Sequence, residues 1–415
     1  MNKQLILALA AMLTPLNAYA LDLGHAVSIK GFGTAGLVYS DNNQGDFVAN
    51  TYLNPRGAGR TENISGVVDS KLGMQIDWQA TSRLSFTGQA VSKQDPSNSW
   101  VPELQWAFAK FKIIPGLDIR SGRIRPAVYM LSDTLDVNYV NPWVRPPTEF
   151  YSQAPVTYME GVDFLYRLQT GPVNWLLQPF YGNSDIESTY NKTFASRNLA
   201  GANIVATIND FTLRAGYTYA SITAYVPEFE SVVRPSLLSL CAADPVACTQ
   251  LAALDISNKA TSFSSIGASW DNGNYFLSGE FGYRSSTSFV HETLSGYISG
   301  GGRFGKLTPY ATYSQVANIS DTKFSGGSGP YGGYTNQIVT GALTNNASDQ
   351  NTKTLGLRYE LFNNIALKLQ WDRLDTNTKN GQENTGGGLF TNTTSTFSNS
   401  SYSIDVFSTS VDFIF

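Results

Sequence analysis

The sequence predicts an all-β protein: a transmembrane antiparallel β-barrel of about sixteen strands whose long third loop folds into the lumen. Segments of alternating polarity recur along the chain, aromatic residues make up 13% of it, and charged residues only 14%, against a usual value of about 25%. A membrane barrel needs an apolar outer surface and a polar lumen, so its strands alternate between the two kinds of residue. A secreted soluble β-protein is the alternative that composition alone leaves open.

The amino-terminal segment has the features of a secretory signal peptide. Lys3 precedes an apolar run from Leu5 to Leu13, and Ala18-Tyr19-Ala20 fits the small-x-small cleavage pattern. The run is shorter than the ~20 residues that a membrane helix needs. We therefore expect residues 1–20 to be removed and residues 21–415 to form one barrel domain. The formal net charge of -4 is mildly acidic, and nothing points to a nucleic-acid partner.

Strand-like segments are joined alternately by tight turns and by long polar loops, which is the connection pattern of outer-membrane barrels. Tight turns are predicted at Pro115-Gly116, Gly171-Pro172, Asn209-Asp210 and Asn363-Asn364. The sixteen predicted strands cover residues 26–40, 71–79, 84–89, 102–113, 117–124, 159–168, 173–182, 198–208, 211–221, 261–270, 275–284, 293–304, 307–316, 352–361, 365–373 and 402–415.

The last predicted strand ends in SVDFIF, where Val411, Phe413 and Phe415 alternate with Asp412 and Ile414. Chain termini are usually polar and frayed, whereas a period of two indicates a strand. We expect this strand to pair with the first one, because hydrocarbon does not tolerate an open sheet edge. Phe413 and Phe415 would then lie in the periplasmic aromatic girdle.

Residues 125–158, the third loop, connect the fifth and sixth strands and differ in composition from the other long loops. This loop contains five prolines and many large apolar residues, including Tyr129, Trp143 and Phe150. The other loops are mostly rich in Gly, Asn, Ser and Thr. We expect a loop of this composition to pack against the barrel wall and to form a constriction.

Charged residues of the third loop and of distant strands suggest how such a constriction would work. The loop supplies Asp133, Asp136 and Glu149, and inward strand positions supply Arg120, Arg214, Arg284 and Arg358. Opposite charges across a narrow aqueous passage create a transverse field that favours small polar solutes over apolar ones. The alternative is that these charges are ordinary lumen residues, paired in salt bridges without control of permeation.

Cys241 and Cys248 lie in one predicted outer loop. Two cysteines this close in an exported protein indicate a local disulfide. Redox catalysis is the other interpretation, but the spacing is not that of a C-x-x-C motif.

The sequence offers little for catalysis or metal binding, because its only histidines are His25 and His291. No acidic residue or serine is placed beside either of them by spacing. We expect no enzymatic activity, no metal and no cofactor. A barrel-embedded lipase or protease is the enzyme alternative.

The export signal, sixteen strands, long third loop and terminal Phe415 together resemble the Gram-negative general porins over essentially the whole mature chain. The resemblance implies a homotrimer in the outer membrane, in contact with lipid and lipopolysaccharide. It also implies assembly by the barrel-assembly machinery through the strand that carries Phe413 and Phe415. Small hydrophilic solutes and ions would diffuse passively through a water-filled channel. A substrate-selective channel of the same fold, and a non-conducting structural or adhesive barrel, remain as alternatives.

Overall fold

The computed structural model describes residues 21–22, 26–288, 290–344, 347–376, 388–398 and 400–415. The predicted signal peptide and His25 lie outside these ranges. Sixteen long strands form the barrel: β1 (Val27–Ser40), β2 (Lys71–Gln79), β3 (Leu84–Lys93), β4 (Glu103–Ile114), β5 (Leu117–Ile124), β6 (Met159–Thr170), β7 (Val173–Ser188), β8 (Lys192–Ile208), β9 (Phe211–Tyr225), β10 (Lys259–Asp271), β11 (Tyr275–Ser286), β12 (Thr293–Gly302), β13 (Leu307–Asn318), β14 (Gln350–Phe362), β15 (Ile365–Thr376) and β16 (Ser403–Ile414).

Each strand pairs antiparallel with its chain neighbours, and β16 pairs with both β15 and β1. The sheet is therefore closed and has no free edge, which confirms the predicted fold class. Alternation along the strands separates the two surfaces. On β2, Leu72, Met74 and Ile76 are exposed on the outside, whereas Gln75 and Asp77 line a cavity in the lumen.

The closing pair of strands is held at its end by the last residue of the chain. Gly31 and Phe415 exchange backbone hydrogen bonds of 2.8 and 2.9 Å. A Cβ atom at Gly31 would lie 2.1 Å from the Phe415 ring, and one at Gly33 would lie 2.4 Å from the Phe413 ring. Only glycine leaves room for the two rings, which stack with centroids 6.4 Å apart.

The strands β7 and β8 extend further than the sequence predicts. The predicted limits at residues 182 and 198 are wrong, since the strands continue to Ser188 and begin at Lys192. Register shifts occur at Gly182/Ser184 and at Arg197/Ala200. In this extension buried Ile186 is flanked by exposed Asp185 and Glu187, so the outward face is polar where a barrel strand is expected to be apolar.

The α-helices of the described ranges all lie in connections: α1 (Thr148–Tyr151), α2 (Arg234–Leu240), α3 (Pro245–Ala253), α4 (Gly332–Thr344) and α5 (Ser395–Ser398). None of the described helices has the length and apolar character needed to cross a membrane. The fifth outer loop carries α2 and α3, joined by a disulfide between Cys241 and Cys248 with Cα atoms 5.0 Å apart. Asp244 connects this loop to the seventh outer loop by accepting hydrogen bonds from Ser328 (2.9 Å) and Thr335 (2.7 Å).

Candidate pore constriction

The third loop folds into the barrel and packs its aromatic residues against inward positions of β10 to β13. Phe150 is completely buried, and its ring lies 5.9 Å from that of Phe263 and 5.7 Å from that of Tyr297. Tyr129 completes this cluster at 5.5 Å from Phe150. Aromatic pairs at these separations add to the stabilisation that burial provides. The predicted packing of the loop against the wall is confirmed.

Arg145 fixes the middle of the loop to the opposite side of the barrel. Its Nε and Nη2 donate to the two carboxylate oxygens of Asp69 over 2.8 and 2.6 Å, and Nη1 donates to Asp372 over 3.1 Å. Nη2 also donates to Ser408 over 2.6 Å. The guanidinium lies over the ring of Phe47, 4.9 Å from the centroid. A buried guanidinium with this many partners holds its loop in a single position.

Lys368 of β15 provides a second buried fixation point. Its ammonium group forms an ion pair of 2.7 Å with Asp412 and donates to the backbone carbonyls of Asn138 (2.7 Å) and Trp143 (2.8 Å). Both Lys368 and Asp412 are fully buried. A charge pair in such a site is stable only when further hydrogen bonds satisfy it, and here the loop backbone supplies them.

Three of the predicted arginines hold the backbone of the third loop. Arg214, Arg284 and Arg358 are inward residues of β9, β11 and β14, and each donates to carbonyl oxygens of the loop. The acceptors are Ala127 (2.7 Å) and Val128 (2.8 Å) for Arg214, Gln153 (3.1 Å) for Arg284, and Asn141 (2.9 Å) together with Tyr139 for Arg358. These guanidinium groups therefore lie between loop and wall.

Glu149 also faces the wall. It belongs to α1 and is 1% exposed, and it accepts hydrogen bonds from Ser314 (2.6 Å), Gln350 (2.6 Å) and Thr352. These three donors come from β13 and β14. The carboxylate thus joins α1 to two strands.

Asp136 is buried within a group of cations. Its carboxylate lies 2.9 Å from Lys93, 2.5 Å from Arg125 and 4.0 Å from Lys71. Burial alone would raise the pKa of Asp136, but the charges of Lys93, Arg125 and Lys71 outweigh it and hold the pKa well below its ordinary value. The loop is therefore tied to β2 and β3 as well as to the far wall.

Asp133 is the predicted acidic residue that remains exposed to solvent. Arg120, by contrast, is buried and donates to the two carboxylate oxygens of Asp163 over 2.9 and 2.5 Å. Arg120 lies on β5 above the ring of Phe108, 5.2 Å from its centroid. Of the predicted acidic constriction residues, Asp133 therefore stays open to the passage, whereas the predicted cation Arg120 is paired with a carboxylate of the neighbouring strand.

Several inward side chains of this wall are buried among one another. The inward side chains Gln89, Asp163, Gln178 and Asn203 are all 5% exposed or less. Towards the short turns the wall opens, since Lys110 and Arg167 are exposed. Polar side chains line the lumen in both regions, so the passage is suited to hydrated solutes.

Several residues that fix the loop are absent from the sequence-based set. Lys368 and Asp412 could have been found, because each lies between apolar neighbours at an inward position of a predicted strand. Arg145 lies in an irregular loop, where no periodicity reveals its partners. Within the described ranges, no group of three or more His, Cys, Asp or Glu side chains could hold a metal ion.

Solved structures with the same fold are outer membrane proteins. The outer membrane channel DcaP of Acinetobacter baumannii matches with a TM-score of 0.54 at 10% identity, over 96% of this chain and 100% of that one. The trimer form of OmpT, an outer membrane protein of Vibrio cholerae, matches with a TM-score of 0.52 at 12% identity, over 94% of this chain and 100% of that one. The anion-selective porin from Comamonas acidovorans matches with a TM-score of 0.50 at 12% identity, over 94% and 100%.

No protein-family model and no curated protein sequence matches the chain. The structural likeness nevertheless extends over nearly the whole barrel. The chain has the closed-barrel fold of outer-membrane porins and channels.

Proposed function

We propose that the chain is a porin of the outer membrane of a Gram-negative bacterium, through which small hydrophilic solutes and ions diffuse passively. The observation that carries this proposal is the third loop, which is folded into a polar lumen and fixed there by Arg145, Lys368 and Asp136. A barrel that served only as a structural element would not require an internal loop fixed to most of its wall. The fold that the chain shares with known channels supports the same function.

In the proposed mechanism the third loop sets the width of the passage, and the exposed charge of Asp133 contributes to the electric field inside it. The buried cations and carboxylates between loop and wall keep the loop in place. Because the carboxylate of Asp133 is exposed in the passage, its field acts on any ion that crosses. No catalytic step and no cofactor belong to this mechanism.

A substrate-selective channel of the same fold is the second candidate, and the low exposure of the inward wall favours it. Gln89, Asp163, Gln178 and Asn203 leave little surface open to water at the height of the loop. A wide general pore would expose such side chains. A narrow polar passage can bind a fitting solute and saturate with it.

Conductance in planar bilayers tests both candidates. A general porin conducts simple salts in proportion to their concentration, whereas a selective channel saturates or is blocked by its solute. A purified, folded barrel that inserts and carries no current would contradict both, and would favour the structural or adhesive alternative.

The proposal also covers the oligomeric state of the protein and the partners that it contacts. A homotrimer is supported by the trimer form of Vibrio cholerae OmpT, which shares the fold. The apolar outer surface would contact lipid and lipopolysaccharide. The strand that ends in Phe413 and Phe415 would be recognised by the barrel-assembly machinery, since it is also the strand that closes the barrel.

A further inference from the structure

Two lysines on the lumen side of β4 lie close to the short turns. Lys110 and Lys112 are two positions apart, so both point inward from the same strand, and both are exposed. Lys110 pairs in register with Arg120, and Lys112 pairs with Asp118. The wall therefore carries cations at successive heights between the turns and the third loop.

Neither lysine is neutralised by the protein. Across the described ranges, no carboxylate oxygen lies within 4.0 Å of either ammonium group. Asp118, the nearest acidic residue in register, is engaged by Arg167 at 2.9 Å. Asp163 is likewise engaged by Arg120, at 2.5 Å. The carboxylates of this wall are thus held by arginines, and the two ammonium groups are left to solvent.

The lysines line a cavity of about 400 Å³ at the turn end of the lumen. Five charged side chains line it: the cations Arg83, Lys110, Lys112 and Arg167, and the carboxylate of Asp118. Lys110 also lines a neighbouring cavity of about 580 Å³, where the other charges, Lys30 and Asp77, form an ion pair of 3.2 Å. The net positive charge is therefore concentrated around Lys110 and Lys112.

A concave wall of one sign of charge raises the local concentration of the opposite ion and lowers its energy along the path. Successive inward residues of a strand are about 7 Å apart, so the step from Lys112 to Lys110 suits a solute with two separated anionic groups. Arg120 lies beside Lys110 in register and is already paired with Asp163, so an anion that enters at the turns meets first Lys112 and then Lys110 as the unpaired cations of this strand.

We propose that the turn end of the lumen is a binding site for small dianionic solutes, in which Lys110 and Lys112 each bind one anionic group, and that the channel therefore prefers anions. This inference rests on the proposed channel function and adds the class of solute to it. Dicarboxylates have the two separated anionic groups that this spacing requires, whereas inorganic phosphate is a single compact anion, and the experiment separates the two.

The test uses the full-length protein, purified from the outer membrane and inserted in planar bilayers. Reversal potentials across a KCl gradient give the ratio of anion to cation permeability, and succinate or inorganic phosphate is then added on the turn side. In K110Q/K112Q we expect the ratio to fall roughly twofold for each charge removed at low salt, from Coulomb's law in water. A concentration-dependent block by succinate should also disappear from this variant.

The matched control is K259Q/K323Q, which removes two positive charges at the start of β10 and in the seventh outer loop. It should retain the wild-type ratio and the wild-type block. The single variants K110Q and K112Q, each checked for heat-modifiable mobility on a gel, cover the case in which the double variant fails to assemble.

Block by succinate supports the site, whether or not phosphate also blocks, whereas block by phosphate alone would show that the two lysines bind one compact anion together and would overturn the proposed two-group arrangement. The inference is overturned if a conducting wild-type channel prefers cations, if neither anion blocks it, or if K110Q/K112Q behaves like the wild type. A folded barrel without conductance would instead contradict the proposed channel function, so the two failures are distinguishable.

Discussion

Arg145 and Asp69 form a two-point ion pair inside the barrel, with donor distances of 2.8 and 2.6 Å, and both side chains are almost inaccessible to water at 6% and 1% exposure. The pair joins the third loop to the chain just before β2. Because Asp372 shares the same guanidinium, two carboxylates depend on one cation. The position of the loop in the lumen is thus coupled to the stability of the barrel.

Replacing Arg145 by Gln should therefore destabilise the protein strongly. The change leaves the buried carboxylates of Asp69 and Asp372 without their cation, and breaking a buried pair costs roughly 3–5 kcal/mol. The free energy of unfolding in urea, followed by heat-modifiable gel mobility, measures the effect. R197Q is the control, because the Arg197–Asp185 pair is half exposed and should contribute about 0–1 kcal/mol. Equal stability of the two variants would contradict the assigned role of Arg145.

The two aspartates of the loop should differ in what their loss changes. D133N removes an exposed charge from the passage, so cation permeability relative to anion permeability should fall, most clearly at low salt. D136N instead removes the partner of Lys93 and Arg125, so the loop should loosen and current noise should increase. Reversal potentials and single-channel recordings separate the two effects. Wild-type selectivity in D133N would show that Asp133 does not act on permeating ions.

The sequence predicts the barrel well because the outward positions of its strands contact an apolar medium over a fixed height. Leu72, Met74 and Ile76 show this alternation directly. The same reasoning fails at the extension of β7, where Asp185 and Glu187 occupy outward positions and remove the apolar signature. It also fails for Arg145, whose partners Asp69 and Asp372 are remote in the chain and are brought to it only by the closed sheet.

The sequence predicts which charged residues lie near the constriction, but it does not predict what each of them does there. An inward arginine on a strand can face the passage or lie beneath a loop, and alternation gives the same pattern for both. Arg214 donates to loop carbonyls, whereas Arg120 donates to Asp163 of the neighbouring strand. The difference between the two arginines depends on the path of the third loop. This path cannot be predicted from a repeating pattern of residues, because the loop has none.

Acidic pH should release the loop only far below neutrality. The pKa of Asp136 is held well below its ordinary value by Lys93, Arg125 and Lys71. A depressed carboxyl pKa contributes stability that is fully present above the unfolded-state value of about 4 and is lost as the pH falls through the folded-state value. Trypsin resistance of the loop and current noise should therefore be constant from about pH 5 to pH 8 and change only in stronger acid. In D136N this acid transition should be absent, and a transition near pH 6 in the wild type would contradict the assignment.

The last strand gives a prediction about assembly. Deleting Phe415 removes both backbone hydrogen bonds with Gly31 and the ring that stacks on Phe413, so the seam between β16 and β1 loses its final contact. We expect less assembled barrel in the outer membrane while export continues, seen as a smaller heat-modifiable band with unchanged total protein.

G31A tests the same seam from the other side, because its new methyl group would lie 2.1 Å from the Phe415 ring and would displace it. G333A is the control, since a Cβ atom there has no neighbour within 4 Å. If deletion of Phe415 leaves assembly unchanged while G31A impairs it, the seam depends on backbone geometry alone and the terminal aromatic residue is not an assembly signal.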